Sequence, residues 1–327
     1  MPTAALLVTE GCFASTLHGL IDALACATYA ADEIGQDITF ETTIVSKDGK
    51  PVMSSSGYKI PVDQSIHHDK ASDVVIVVPA IPPNATDIDV TNAMSSLRPV
   101  LDWMSLELTR GTQLASSCTG SFMLAEAGLL NGKHATTHWR AADVFRRRYP
   151  DVILKTDDLV TDNGTLICGG GAASHVNLSL HLIRRFGGEA LAFHCAHTLI
   201  VDPGRNLQSP YALMNYETNH GDSMVSEAQE YIARNFKEPI SIPDLAVHLN
   251  VGDRTLSRRF KAATGLSVGL YIQEVRIEAA RNKLATTESP LQTVVSEVGF
   301  EDYSSFARLF KKRTGITMQS YRERFRL

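Results

Sequence analysis

The chain has 327 residues and a 44% apolar composition, enough for two ordinary cores, and no apolar run in it approaches the length that spans a bilayer. Five scattered cysteines, Cys12, Cys26, Cys118, Cys168 and Cys195, suit reduced thiols rather than a disulfide framework; with no Lys or Arg before Lys47 a secretory leader is not expected, and the expected location is the cytoplasm. The net charge of −5 is unevenly spread: residues 1–220 hold 15 Lys+Arg against 23 Asp+Glu, residues 221–327 hold 16 against 13, and residues 251–327 hold 14 against 8. Only the carboxyl-terminal part has the basic footprint that contact with phosphates requires.

The amino-terminal part alternates short apolar runs with helical stretches. A strand over 4–9 precedes a helix over 15–33, an alternating strand over 38–45 and a nearly all-apolar strand over 73–78. One helix is expected over about 90–108, then a strand over 112–117. Residues 53–61 read as a hairpin-type excursion, and 80–84 (AIPPN) as a loop at a strand's carboxyl end, where ligand sites of such sheets gather. The order predicts a mostly parallel sheet between helices.

At residue 118 the pattern becomes chemical. The run LASSCTGSFMLAEAGLLNGKHATTHW passes from an apolar strand through Ser-Cys-Thr-Gly straight into an apolar helix, which puts Cys118 on a sharp turn at a helix start, where a thiol's pKa is expected to fall. His138 follows twenty residues later, after a short strand over 135–137. This pairing resembles the class I glutamine amidotransferase-like superfamily, including its intracellular-protease and deglycase branch, whose nucleophilic Cys and its His share this elbow and spacing. The resemblance covers about residues 4–201 and implies a flavodoxin-like α/β domain. One departure is plain: the carboxylate that bonds to the thiol in deglycase relatives is replaced here by Thr16, with Glu10 nearer the strand end. The resemblance therefore implies a pocket kept for binding rather than catalysis. The expected ligand residues are Cys118, Thr119, His138, Gly170 and Gly171, with Cys118 and His138 the catalytic pair if the domain is an enzyme.

Other candidates are weaker. Residues 193–197 (FHCAH) put His194 and His197 three apart on a helix with Cys195 between, yet a third metal ligand is not apparent, so no metal is expected. His67 and His68 precede Asp69 in a loop and read as solvated. The run Cys168-Gly-Gly-Gly-Ala, ahead of a helix over 173–186, is neither a nucleotide fingerprint nor a phosphate loop, and is expected to let backbone approach the Cys118 pocket. No cofactor is expected.

Residues 203–225, rich in Pro, Gly, Asn and Ser, read as the linker between a 1–202 domain and a 226–327 domain. Arg205, Gln208 and Tyr211 within it resemble a segment often seen at this junction in the group, which implies packing back onto the first domain; a solvated linker with one incidental aromatic is the alternative.

Beyond the linker one device occurs twice. Residues 249–265 (LNVGDRTLSRRFKAATG) and 298–315 (VGFEDYSSFARLFKKRTG) are each a turn and a basic amphipathic helix closed by Gly, with a short helix before each, over 242–249 and 291–297. Leu256 and Phe260 share the buried face of the first; Phe306, Leu309 and Phe310 form that of the second. Asp253 and Asp302 stand at the two helix starts, where an acceptor suits the free amides. Residues 267–287 between the copies read as one helix of about 30 Å, close to the roughly 34 Å between successive major-groove faces. The bland alternative is a helical bundle with solvated basic faces.

The pattern L-x-R-x-F-K…G, the linker residues Arg276, Ala280 and Leu284, and then G-F-x-D-x-S-x-F-x-R-x-F-K resemble the AraC family of transcription regulators over about the last hundred residues. That implies an all-α domain with two helix-turn-helix motifs reading double-stranded operator DNA through Arg254, Thr255, Ser257, Arg258, Lys261, Tyr303, Ser304, Ser305, Arg308 and Lys312. It also implies a homodimer, a small-molecule effector of amino-acid or related nitrogen chemistry, contact with RNA polymerase if the regulator is an activator, and no membrane. A Cys118-dependent hydrolase or deglycase, and a redox sensor acting through Cys118, are the rival readings.

Overall fold

A computed structural model describes residues 1–67, 71–213 and 220–326. It divides into two compact units, Met1–Gln208 and Ser209–Leu327.

The first unit is built on a seven-stranded sheet. In chain order its strands are β1 (Thr3–Leu7), β2 (Glu41–Ser46), β5 (Gln64–Ser65), β6 (Val74–Val77), β7 (Gln113–Ser117), β10 (Val160–Asp162) and β11 (Leu166–Gly169), in the spatial order β10-β11-β7-β6-β1-β2-β5. All neighbours are parallel except β10, which runs antiparallel to β11 at the edge. Two small ladders lie apart: the antiparallel β3 (Val52–Met53) with β4 (Lys59–Ile60), which is the hairpin expected over 53–61, and the parallel β8 (His134–Ala135) with β9 (Ile153–Leu154).

The strand pleat sorts β1 between two cores. Ala4, Leu6 and Val8 face the layer made by α1 (Ala14–Glu33) and α6 (His175–Thr198), while Ala5 and Leu7 face the layer containing α2 (Asp87–Ser95), α3 (Arg98–Thr109), α4 (Ser121–Glu126) and α5 (Ala142–Arg148). A strand covered on both faces must be apolar throughout, which is why VVIV of β6 is wholly buried. Each fully buried Leu or Val there contributes about 1.5–3 kcal/mol.

Two helices differ from expectation. The helix expected over 90–108 is broken into α2 and α3, because Pro99 in the first turn of α3 cannot donate to the preceding turn and its ring excludes the carbonyl behind it. The helix expected to end at 186 continues to Thr198 past a kink at Gly188, whose φ of 86° and ψ of 173° are not helical. The loop residue His67 is exposed; His68 and Asp69 lie outside the described residues.

The second unit is all helical: α7 (Ser223–Asn235), α8 (Ile242–His248), α9 (Asp253–Thr264), α10 (Val268–Thr286), α11 (Leu291–Glu297), α12 (Tyr303–Thr314) and α13 (Met318–Phe325). It contains two separate cores. Val268, Tyr271, Ile272 and Val275 of α10 join α7, α8 and α9, while Ile277, Ala280 and Leu284 of the same helix join α11, α12 and α13. The bridging helix is thus apolar on different faces along its length. Arg276 ties the halves together: its guanidinium donates to the Phe236 and Glu238 carbonyls at 2.7 and 2.9 Å and lies 5.2 Å from the Phe300 ring centroid.

The two halves repeat at an offset of fifty residues. Thr264 and Thr314 each donate a hydroxyl hydrogen bond back to the phenylalanine carbonyl four residues earlier, and Gly265 and Gly315 close their helices at φ of 73° and 78°, where a β-carbon would be strained. Ser267 and Thr317 then cap the next helix, and Tyr271 and Tyr321 stand edge-on to Phe260 and Phe310 at 5.1 and 5.5 Å. The helix starts are less alike than their acids suggest: Asp302 caps α12 through the Ser305 amide, whereas Gly252 holds the cap position of α9 and Asp253 is its first helical residue.

Candidate functional site

β7 ends at Ser117; the next residue, Cys118, has a φ of 54°, which places a non-glycine residue in the left-handed region, and the chain turns through Cys118–Gly120 into α4. The elbow expected from the sequence is present. Its thiol, however, is only 2% exposed, and burial pushes it up to about 12, against the lowering expected at a helix start. The physical reason is that α4 has only six residues behind a 3-10 turn, so its dipole is weak while desolvation is nearly complete. The hydrogen bonds that favour the thiolate come from Thr119 alone.

His138 is also held neutral. Its Nδ1 accepts the Arg140 amide at 3.1 Å, which leaves the ring proton on Nε2, and burial together with Arg140 lowers its pKa to about 4. A neutral thiol and a neutral imidazole do not form the ion pair of an activated cysteine. Thr16 is buried on α1, and Glu10 turns its carboxylate to the Met53 amide at 3.0 Å. Neither supplies the missing carboxylate to the thiol.

Neither glycine after β11 lines the cavity described below. A β-carbon on Gly170 would lie 2.8 Å from Nε2 of Gln208, a side chain 2% exposed. That amide donates to Thr136 Oγ1 and the Thr137 carbonyl at 3.1 and 2.8 Å, and its Oε1 accepts the Trp139 amide at 3.2 Å. Gly170 makes room for Gln208. Gly171 stands 4.0 Å from the His138 ring by the same measure. The unit instead has a cavity of about 360 Å³ at the carboxyl ends of β1, β2 and β6 and the turn after β7, with Glu10, Lys47, Ile81, Met94, Thr119 and Met123 in its wall. Of the five expected ligand residues only Thr119 lines it.

The FHCAH side chains diverge on α6. His194 meets Glu33 at 2.6 Å, Cys195 is buried against Cys26, and the His197 ring lies tilted against Phe193 at 4.5 Å. Among the described residues no three His, Cys, Asp or Glu side chains group to hold a metal.

In the second unit Leu256, Phe260, Phe306 and Phe310 are fully buried, while Arg254, Arg258, Lys261, Ser304, Ser305, Arg308 and Lys312 are exposed. Thr255 and Ser257 are half-buried. Tyr303 packs partly into the second core, so it is less outward than expected. The fifty-residue repeat pairs Arg254 with Ser304, Thr255 with Ser305, Arg258 with Arg308 and Lys261 with Lys311; Lys312 falls opposite Ala262. Among the described residues Arg254, Arg258, Lys261, Arg308, Lys311 and Lys312 form no ion pair, although their neighbours Arg259 and Arg313 do.

Comparison with known proteins agrees with both units. Residues 245–324 match a helix-turn-helix domain model and residues 23–185 match the DJ-1/PfpI family. The transcriptional regulator GbdR of Pseudomonas aeruginosa is 27% identical over 309 residues, 94% of this chain and 81% of its own length; CdhR of the same organism is 29% identical over 83% of this chain and 78% of its own. The chain is an AraC-type transcription regulator with a DJ-1/PfpI domain. The DJ-1beta crystal structure from Drosophila melanogaster shares the first unit's fold at a TM-score of 0.50 and 20% identity, covering 62% of the regulator and 98% of that chain.

Several side chains of the regulator carry structural roles that spacing did not reveal. Arg259 makes a two-bond contact with Asp222, the cap of α7, at 2.9 and 2.6 Å, which removes it from the set of free cations on α9. The expected junction segment divides between the units. Gln208 is enclosed by the first, and the Arg205 carbonyl there accepts the Asn177 side chain at 2.8 Å. Tyr211 stands edge-on to Phe325 in the second at 4.9 Å, where Arg281, 6% exposed, donates to the Ser209 and Ala212 carbonyls. No local pattern in the sequence marks such long-range partners. Among the described residues, no helix is long and apolar enough to cross a membrane.

Proposed function

We propose that the regulator binds operator DNA through α9 and α12 and responds to a small effector, an amino acid or related nitrogen compound, held in its first unit. The observation that carries this reading is the pair of basic helices at a fifty-residue offset, each with a buried apolar face and a closing glycine and each presenting cations that form no ion pair among the described residues. Arg254, Thr255, Ser257, Arg258 and Lys261 on one, and Tyr303, Ser304, Ser305, Arg308 and Lys312 on the other, are the proposed contacts, to which the repeat adds Lys311. The nineteen residues of α10 span about 28 Å, suited to successive major-groove faces. The family resemblance supports a cytoplasmic homodimer that activates a catabolic operon in contact with RNA polymerase. Selection of bound duplexes from a random pool by the full chain is the test. Two enriched blocks about one helical turn apart are expected; a pool without base preference would refute sequence-specific reading.

The rival readings both need a reactive Cys118. Moving a thiol from an ordinary value of 9.0 up to about 12 lowers its thiolate fraction at neutral pH by about 10³-fold. Alkylation of Cys118 by iodoacetamide in the native chain is therefore expected to be about three orders of magnitude slower than that of free cysteine. Hydrolase and deglycase assays should stay at background in the wild type and in Cys118→Ser alike. Rapid alkylation, with an activity lost in Cys118→Ser, would restore the enzyme.

A further inference from the structure

The cavity at the ends of β1, β2 and β6 has a charge arrangement that the Cys118 elbow lacks. Its apolar wall is Val8, Val52, Ile81, Met94, Leu97 and Met123, with no aromatic side chain. Its charged lining is Glu10, Lys47 and Asp48. Asp48 is matched by Lys50 at 3.4 Å, which leaves one acid and one base without an ion pair among the described residues. Both are held from the protein side: Glu10 accepts the Met53 amide through Oε2, and Lys47 Nζ donates to the Ser96 carbonyl at 3.3 Å. They leave adjacent parallel strands at the same end, because the register sets Leu7 beside Val45.

A chamber with an apolar wall and, at its exposed rim, one acid and one base each anchored by a single backbone hydrogen bond complements a ligand that has an apolar body and both charges. A plain amine would leave Lys47 unmatched, and a plain acid would leave Glu10 unmatched. The volume stands at the small end of the roughly 300–1,000 Å³ of ligand sites, and the lack of an aromatic ring removes the usual face for a quaternary ammonium or a stacked base. We propose that this cavity is the effector site and that it takes an aliphatic amino acid in its zwitterionic form, the ammonium at Glu10, the carboxylate at Lys47 and the side chain on Ile81, Met94 and Met123. The proposal rests on the effector-responsive reading above and specifies its site and charge.

The experiment uses the full chain. Thermal shift and calorimetric titration are run with L-leucine, L-norvaline and 5-aminopentanoate, with isoamylamine and 4-methylpentanoate as single-charge controls, and with glycerol, adenosine and succinate as other classes. At least one zwitterion should bind while isoamylamine and 4-methylpentanoate bind at least tenfold more weakly. Glu10→Gln, which keeps an acceptor for the Met53 amide, and Lys47→Gln should each lower that affinity at least tenfold and leave duplex binding by the unliganded chain unchanged. Ala93→Phe, which fills the chamber from α2, should abolish it. Equal binding of the amine, or binding unaffected by the charge variants, overturns the proposal. Binding of a compound from another class that Ala93→Phe abolishes also overturns it but leaves the effector reading standing. No binding by any compound in the panel overturns both.

Discussion

Replacing Arg258 by alanine is expected to relax base preference in one block of the selected site, and Arg308→Ala in the other, about one helical turn away. The two residues occupy the same place in the fifty-residue repeat, two positions after the buried Leu256 and Phe306 and two before the buried Phe260 and Phe310. Arg258 is exposed with no ion pair among the described residues, and Arg308 Nη2 donates to the Ser305 hydroxyl at 3.3 Å on the exposed face, a bond that a guanine edge can replace; an arginine–guanine contact is worth about 1–3 kcal/mol of discrimination, or roughly 5- to 150-fold. Lys261, Lys311 and Lys312 differ in kind: a point charge on phosphate supports every sequence alike, so alanine at any of them should weaken all duplexes similarly and lower the salt slope by about one. Arg259→Ala should act differently again, through stability, because its partner is Asp222. The check is selection and salt titration on each variant. Intact preference in both arginine variants would mean that these helices do not read the major groove.

Phe310→Ala is expected to destabilise the second half of the helical unit by about 3–5 kcal/mol, enough to unfold much of it at ordinary temperature. Phe310 is fully buried, stands edge-on to Tyr321 and lies 6.1 Å from Phe306, so truncation leaves a cavity lined by rings that cannot collapse into it. Phe310→Leu, which retains most of the volume, should cost less than half as much. The two tryptophans, Trp103 and Trp139, both lie in the first unit, so their fluorescence follows that unit while far-ultraviolet circular dichroism follows the helices of both. In urea the variant should lose ellipticity in an early phase that tryptophan fluorescence does not register. A loss below about 1 kcal/mol would contradict the close packing around this ring.

Much of the architecture follows from period and punctuation alone. The all-apolar run of β6 requires cover on both faces, the Ser-Cys-Thr-Gly turn places Cys118 at an elbow, and the Leu256/Phe260 and Phe306/Phe310 spacing with a closing Gly specifies the two basic helices; these are local constraints that the tertiary structure leaves unchanged. Pro99 was equally visible, but its position inside an otherwise helical pattern did not by itself say whether the helix bends or breaks.

What only the tertiary structure decided is the state and company of individual groups. The sequence puts Cys118 at a helix start, yet whether its thiol is reactive depends on competition between a short helix's dipole and desolvation by residues far away, and desolvation wins. The glycines at 170 and 171 announce close approach without saying of what; at Gly170 the answer is Gln208, some 38 positions on, whose side-chain amide fills the space that a β-carbon would take. The cavity with Glu10 and Lys47 arises because β1 and β2 end side by side in a parallel sheet, a register that no single strand encodes. Likewise Arg258 and Arg259 are equivalent as letters. They part only because the fold sets Asp222 beside one of them and leaves the other in solvent.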